Sequence, residues 1–156
     1  MPTKHWLLKT EPAAFSIDDL ANEKNQTTCW DGVRNYQARN SIRDDMQIGD
    51  KVLFYHSSAK PPHIAGTAVV VKESYPDFTA FDAKNNHFDP KSNHDSPTWF
   101  MVDIRLEQKF KRPLPLDELK QNQKLEGMVL LQKGSRLSVQ PVSKQHFDLI
   151  VKLGSK

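Results

Sequence analysis

The sequence contains a single cysteine, Cys29, and no long apolar run. One cysteine cannot form an internal disulfide, which is typical of proteins from a reducing compartment. No stretch approaches the roughly 18 apolar residues that a membrane-spanning helix needs. The first residues also lack the apolar segment of a secretory signal. We therefore expect a protein that stays inside the cell and has no membrane partner.

Glycine is scarce as well, and its six positions lie far apart. The phosphate-binding loops of nucleotide-dependent enzymes need clustered glycines, so nucleoside triphosphate chemistry is disfavoured. The six histidines show no pair at metal-ligand spacing beside a carboxylate on a helix, and one cysteine cannot build a thiolate zinc site. We predict no metal and no cofactor.

Charge of one sign is in only small excess. The chain has 22 Lys and Arg against 19 Asp and Glu, a net charge of +3. This balance permits an anionic partner without requiring one. A protein that coats a long duplex would carry a denser basic stripe, because each neutralised phosphate takes about one cation.

Short stretches rich in β-branched and aromatic residues predict strands over residues 5–9, 51–56, 64–73 and 99–108, with extended pieces over 128–131 and 137–142. Short helices are predicted after the N-caps Ser16 and Ser143 and over residues 35–44 and 115–119. No crossover helix of roughly 10 to 15 residues separates the strands, which favours an antiparallel, barrel-like sheet in an α+β fold. No linker divides the chain, so residues 1–156 are expected to form one domain.

The longest stretch between predicted strands covers residues 75–97. It contains three prolines and many Asn, Asp, Ser and His residues. Long loops in compact domains usually carry function. We expect this loop to cover or border a site.

Several blocks of the sequence resemble the EVE domain. The most specific is the eleven-residue block 30–40, WDGVRNYQARN. Shorter blocks continue the likeness over residues 6–12, 49–50, 54–57, 64–66, 75–77, 99–103 and 137–142. The resemblance extends over about residues 4 to 152, nearly the whole chain.

This resemblance implies a PUA-like fold, a mixed β-barrel of five to six strands with short peripheral helices, related to the YTH and ASCH families. Members of these families read DNA or RNA, often at modified bases. For the EVE type the implied role is capture of a modified base, such as 5-methylcytosine or hydroxymethylcytosine, in an aromatic pocket at the face of the barrel. We therefore expect a monomeric nucleic-acid-binding module and no enzyme.

Trp30 is the first candidate for an aromatic wall of this pocket. It precedes an Asp-Gly turn and does not belong to an apolar run. Trp6, Tyr55 and Trp99 are further candidate walls, but each lies in a predicted strand, where packing in the core is an equal alternative. Val33 joins the set as part of the same block as Trp30.

Polar candidates for binding the base edge or the flanking phosphates are Lys9, Arg34, Asn35, Arg39, His56 and Ser57. Amide and hydroxyl groups suit the edge of a base, and cations suit phosphates. Structural alternatives remain for three of them. Asn35 is equally suited to cap the following helix, and Arg34 and Arg39 are equally suited to ion pairs with Asp31 or Glu11.

Two other functions remain open. Some ASCH-type relatives are amidohydrolases of acylated cytidine, and residues 9–11, Lys-Thr-Glu, supply the residue types for a lysine-activated threonine nucleophile. Alternation along a strand would separate the threonine from its two neighbours. The second alternative is a protein-interaction module, for which the long loop would expose an apolar patch of Tyr75, Phe78, Phe81 and Phe88.

The chain begins four residues before the first predicted strand, without the long basic N-terminal tail of the animal nuclear members of the family. We therefore expect a compact, bacterial-type homologue located in the cytoplasm. In a eukaryote the expected location is the nucleus.

Overall fold

The computed structural model describes residues 3–133 and 137–156. Its strands are β1 (His5–Thr10), β2 (Thr27–Cys29), β3 (Lys51–His56), β4 (His63–Pro76), β5 (Phe100–Pro115) and β6 (Val139–Val142). Its α-helices are α1 (Ile17–Ala21), α2 (Tyr36–Asn40), α3 (Leu116–Lys120) and α4 (Lys144–Gly154). A π-helical turn, Ser41–Asp45, follows α2, and 3-10 turns lie at Lys24–Gln26, Phe78–Phe81, Gln123–Leu125 and Val129–Leu131. None of the helices in these ranges has the length and apolar character needed to cross a membrane.

The described strands form one mixed sheet in the order β2-β5-β4-β3-β1-β6. This open, barrel-like sheet with short helices around it confirms the predicted α+β fold. The spacing of the predicted strands suggested an antiparallel sheet, and this was wrong for one pair, because β1 and β3 run parallel. The crossover between them, over residues 11–50, consists of several short elements in place of one long helix.

Side chains along β1 and β3 alternate between two cores, one on each face of the sheet. Leu8 and Phe54 pack in the first core together with Trp30. Leu7 and Tyr55 pack in the second core, against side chains of α3 and α4. Trp30 and Tyr55 therefore lie on opposite faces of the sheet.

The two predicted N-caps are confirmed. The Ser16 hydroxyl accepts from the backbone N–H of Asp19, and the Asp19 carboxylate accepts from the backbone N–H of Ser16, a reciprocal pair that begins α1. Ser143 begins α4 in the same way, by accepting from the N–H of His146. Both helices turn their apolar side chains toward the sheet, with Ile17 and Leu20 buried in α1 and Phe147 and Ile150 buried in α4.

Several local features of the structure differ from the predictions. Residues 35–44 were expected to form one helix and instead form α2 and the π-helical turn. Residues 128–131 were expected to be extended, but Val129–Leu131 is a 3-10 turn that buries Leu130, so packing overrides the β-propensity of the segment. The short strand β2 was not predicted, because three residues are too few to show a periodic pattern.

Candidate ligand pocket

A cavity of about 610 Å³ opens at the end of β1. We call it the main cavity. Residues 28–34 form one wall of it, residues 9–11 and Ser138 form another, and Ala14 and Phe15 close one side. Asn86 and His87, from the long loop between β4 and β5, complete the lining. The long loop therefore borders the cavity.

Trp30 lines the main cavity while most of its ring is packed in the core. Its side chain is only 7% exposed. Phe54 meets the indole edge-on with ring centroids 5.5 Å apart, and Phe15 does so at 6.4 Å. The Trp30 backbone N–H donates to the carbonyl of Val102 at 2.7 Å. Ring and backbone are thus both fixed, so the wall is rigid before any ligand arrives.

Gly32 lets the long loop approach the wall of the main cavity closely. Its φ of +79° is in the left-handed region that favours glycine. A Cβ atom at this position would lie 2.5 Å from Cε1 and 2.6 Å from Nε2 of the His87 ring. His87 therefore covers Gly32 directly. Within the described residues, its buried Nδ1 has no hydrogen-bond partner.

Asp77 is the centre of a buried network that holds the loop beside the cavity. Its carboxylate, which is fully buried, accepts from the N–H of Gly32 at 2.8 Å and from Nη1 of Arg34 at 3.0 Å, and Thr79 donates to it as well. Burial by itself would raise the pKa of Asp77, but the hydrogen bonds from Thr79, Gly32 and Arg34 hold that pKa below its usual value.

Arg34 fastens the loop from the other side of this network. Its Nε and Nη2 both donate to the backbone carbonyl of His87, at 3.1 and 2.6 Å. The sequence suggested Asp31 or Glu11 as its ion-pair partner, and this was wrong, because the carboxylate that meets Arg34 is Asp77 at the end of β4. Five polar contacts leave the guanidinium little freedom to follow a ligand.

The polar groups beside Trp30 are the Asp31 carboxyl and the Cys29 thiol. Burial raises the pKa of Asp31, and the nearby charge of Asp77 raises it further. Burial also raises the pKa of Cys29 to about 11, with contributions from Asp31 and Asp103. The thiol therefore stays protonated at neutral pH and is a poor nucleophile. Asp31 is the better-placed hydrogen-bonding group in this wall.

Tyr55 lies on the other face of the sheet, where it lines a second concavity of about 490 Å³. We call this concavity the lysine groove; its lining residues are Lys9, Tyr55, Leu116, Lys120, Leu130, Leu131, Gln132 and Lys133. Lys9 lines the main cavity too, and its ammonium nitrogen lies 5.8 Å from the centroid of the Tyr55 ring. Burial lowers the pKa of Lys9.

The other two tryptophans are buried and hydrogen-bonded away from the main cavity. Trp6 donates its indole N–H to Asp50 at 3.0 Å. Trp99 donates its indole N–H to Asp89 at 2.7 Å and stacks on Tyr36 with ring centroids 5.1 Å apart. Neither lines the main cavity.

Asn35 and Arg39 have structural partners at α2. The side-chain oxygen of Asn35 accepts from the N–H of Ala38 at 2.9 Å, so Asn35 caps the helix. Arg39 donates to the carbonyl of Thr98 at 2.8 Å and lies over the Tyr36 ring, and it has no ion pair with Asp31 or Glu11 among the described contacts.

His56 and Ser57 lie at the end of β3, also outside the lining of the main cavity. The N–H of Ile17 donates to Nε2 of His56, which places the ring hydrogen on Nδ1, where it meets Nε2 of His63 at 3.1 Å. Burial, with a contribution from His63, lowers the pKa of His56. The backbone N–H of Ser57 donates to the carbonyl of Thr10.

The structure thus brings four of the eleven predicted site residues to the main cavity: Lys9, Trp30, Val33 and Arg34. Sequence reasoning missed Asp31, although it lies inside the block 30–40, and Cys29, which lies one residue before that block. It also missed His87, for which the sequence holds no signal, since only the folding of the loop over Gly32 brings it there. Among the residues that the structure describes, no three His, Cys, Asp or Glu side chains are grouped as metal ligands.

Comparison with known proteins gives the chain its family. The EVE domain model matches residues 4–153. Thymocyte nuclear protein 1 of Homo sapiens is 45% identical over 171 residues, which cover 99% of this chain and 75% of that protein. The crystal structure of human THYN1 protein in complex with 5-methylcytosine-containing DNA superposes with a TM-score of 0.92 at 45% identity and covers 99% of each chain.

A more distant comparison bears on the fold alone. The YTH domain of Zygosaccharomyces rouxii MRB1 protein, in complex with N6-methyladenosine RNA, superposes with a TM-score of 0.56 at 14% identity and covers 98% of this chain and 87% of that one. Its sheet therefore has the same general arrangement, as the implied relation between EVE and YTH folds predicts. On the family model and the close relatives together, the chain belongs to the EVE domain family.

Proposed function

We propose that this protein binds nucleic acid and recognises a modified base, a modified cytosine, in the main cavity beside Trp30. The observation that carries this proposal is the position of residues 30–34. They belong to the block most specific to the family, and they form a wall of a cavity large enough for one base. A member of the same family, human THYN1 protein, has been solved with 5-methylcytosine-containing DNA.

The energetics of base capture fit a rigid wall. Taking a base out of a stack costs a few kcal/mol, and a base that is already single-stranded costs least. Stacking on an aromatic side chain returns about 1 to 3 kcal/mol. Because Phe15 and Phe54 already hold the Trp30 ring in place, ligand binding has no entropy cost for ordering that ring.

The other groups of the wall suit cytosine. The Asp31 carboxyl is an acceptor for the exocyclic N4 amino group, the contact that Asp makes with cytosine in base readout. Burial raises the pKa of Asp31. Val33, which is 5% exposed, offers an apolar contact for a methyl group on C5.

A binding experiment with a charge-matched control tests this function. We expect an oligonucleotide with one 5-methylcytosine to bind more tightly than the same oligonucleotide unmodified, with fluorescence anisotropy as the measurement. Asp31→Ala should weaken binding of both oligonucleotides, because both present the same N4 amino group, whereas Asp95→Ala, which removes an exposed carboxylate in the long loop outside the cavity lining, should leave both affinities unchanged. Equal affinities of the wild-type protein for both oligonucleotides would contradict the proposal.

A second candidate function, hydrolysis of acylated cytidine, is favoured by one observation. Residues 9–11 all line the main cavity, at the end of β1. Burial also lowers the pKa of Lys9. The Thr10 hydroxyl, however, donates to the carbonyl of Phe15 at 3.0 Å. Incubation with acylated cytidine and chromatography of the products decides between the two: base reading alone predicts no release of cytidine.

The apolar patch of the protein-interaction alternative is only half formed. Phe78 and Phe88 are exposed, at 57% and 40%. Phe81 stacks on His94, and the Tyr75 hydroxyl donates to Asp103. We therefore favour the base-binding function over this alternative.

For the cellular location we propose the cytoplasm if the source is bacterial and the nucleus if it is eukaryotic. The name of the vertebrate relatives, thymocyte nuclear protein 1, supports the second half of this proposal. Fluorescence microscopy of the tagged protein in its own organism is the direct check.

A further inference from the structure

The main cavity and the lysine groove share one lining residue, Lys9. This shared residue places the two concavities next to each other at the end of β1. The main cavity and the lysine groove lie against opposite cores of the sheet, since Trp30 belongs to the first core and Tyr55 to the second. A linear ligand anchored beside Trp30 can therefore pass over Lys9 and follow the groove.

The charged residues that line the lysine groove are all positive. Lys9, Lys120 and Lys133 are three of its eight lining residues, and none of the eight is acidic. Lys120 and Lys133 are exposed and form no ion pair with any described residue. The next concavity beyond it contains Glu126, so the purely basic stretch ends with this groove.

We propose that the lysine groove binds the sugar–phosphate backbone of the strand whose modified base enters the main cavity. The proposal rests on the proposed function and adds the path of the flanking strand to it. A base held in the main cavity leaves its neighbouring phosphates close to the residues that line the cavity, and Lys9 is one of these residues. Lysine binds phosphate as a point charge, and such contacts position a strand without reading its sequence.

The state of Lys9 supports this path. Burial lowers its pKa, which is an unfavourable setting for an ammonium group. An arriving phosphate would stabilise the charged form and restore the pKa. Tyr55, 4% exposed and adjacent to Lys9, offers a flat apolar floor for a sugar or a base.

The salt dependence of binding tests the proposal. The double variant Lys120→Ala/Lys133→Ala removes two groove cations and spares Lys9. Its matched control is Lys111→Ala/Lys152→Ala, which makes the same change of net charge at two exposed lysines outside both concavities. Affinities are measured by fluorescence anisotropy on single-stranded DNA with and without one 5-methylcytosine, between about 50 and 200 mM salt.

The groove variant should bind both strands more weakly, with a shallower slope of log K against log salt. The slope should fall by about 0.7 for each lost phosphate contact, while the ratio of affinities for the two strands stays that of the wild type. A groove variant that matches its control in slope and affinity would overturn the inference. Equal affinity of the wild-type protein for both strands contradicts the proposed function alone, and no binding of either strand overturns both.

Discussion

At the scale of single residues, the shape of the main cavity depends on a few positions where another residue would not fit or would lose essential contacts. Gly32 is one of them, because both its left-handed backbone and the His87 ring above it exclude a side chain. Asp77 is another, because it joins the wall to the loop through Gly32 and Arg34. These positions support the cavity without offering a binding group themselves.

Gly32→Ala should reduce both stability and ligand binding. A non-glycine residue at a left-handed position costs about 1 to 2 kcal/mol, and the new methyl group must in addition displace His87. Gly49→Ala is a matched control, because Gly49 has a φ of +93° with no atom within 4 Å of the added Cβ. Urea denaturation should show the larger loss for Gly32→Ala; equal losses would mean that the His87 contact is unimportant.

Asp77→Ala should lower the free energy of unfolding by about 3 kcal/mol at neutral pH, because it leaves the partly buried Arg34 without its carboxylate. The pKa of Asp77 is lower in the folded state, so its stabilising contribution is complete above the ordinary carboxyl pKa of about 4 and is lost as the pH falls through the folded pKa. The difference between wild type and variant should therefore shrink in acid. The same difference at every pH would contradict this account, and exposed Asp95→Ala controls for the loss of a carboxylate.

At the scale of elements, the signals that predicted the fold were local. The hydroxyl and carboxylate pattern at Ser16 and Asp19, and the serine before an apolar helix face at residue 143, identified two helix starts correctly. The parallel pairing of β1 with β3 had no such signal. The crossover between them consists of several short elements, and each of these resembles an irregular connection in the sequence. Only the strand pairing in the structure shows that together they form a parallel crossover.

The cap of α4 gives a prediction at this scale. Ser143→Ala should lower the free energy of unfolding by about 1 kcal/mol, since it leaves the N–H of His146 without its acceptor. Ser143→Gly should cost only a few tenths of a kcal/mol, because glycine is a tolerated N-cap. Thermal unfolding followed by circular dichroism checks the pair. Equal losses would mean that the helix is held by packing alone.

The candidate site shows the same limit of sequence reasoning. Trp30, Val33 and Arg34 were identified because they lie in one contiguous block. Tyr55, Trp6 and Trp99 were grouped with them because they are aromatic, yet strand alternation places Tyr55 on the opposite face, and the two indoles donate to Asp50 and Asp89. Which face a strand residue occupies depends on the register of its neighbours, and that register was unknown.

At the scale of the whole molecule, one sheet separates two cores. Nucleic acid is proposed to contact both faces of this sheet at the end of β1. The described residues share this single sheet. That the chain is one domain and acts as a monomer remains a prediction. Differential scanning calorimetry should show a single transition whose calorimetric and van't Hoff enthalpies agree, at a midpoint that does not rise with protein concentration. Two separate unfolding transitions would contradict the prediction of a single domain.

The central claim is that a modified base enters the main cavity beside Trp30. The chain has three tryptophans, so a ¹⁵N-labelled sample shows three indole N–H signals in a two-dimensional NMR spectrum, and those of Trp6 and Trp99 are already hydrogen-bonded to carboxylates. Adding a short single strand with one 5-methylcytosine should shift the Trp30 signal most, and the unmodified strand should shift it less at the same concentration. An unmoved Trp30 signal in a sample that binds the modified strand would contradict the claim.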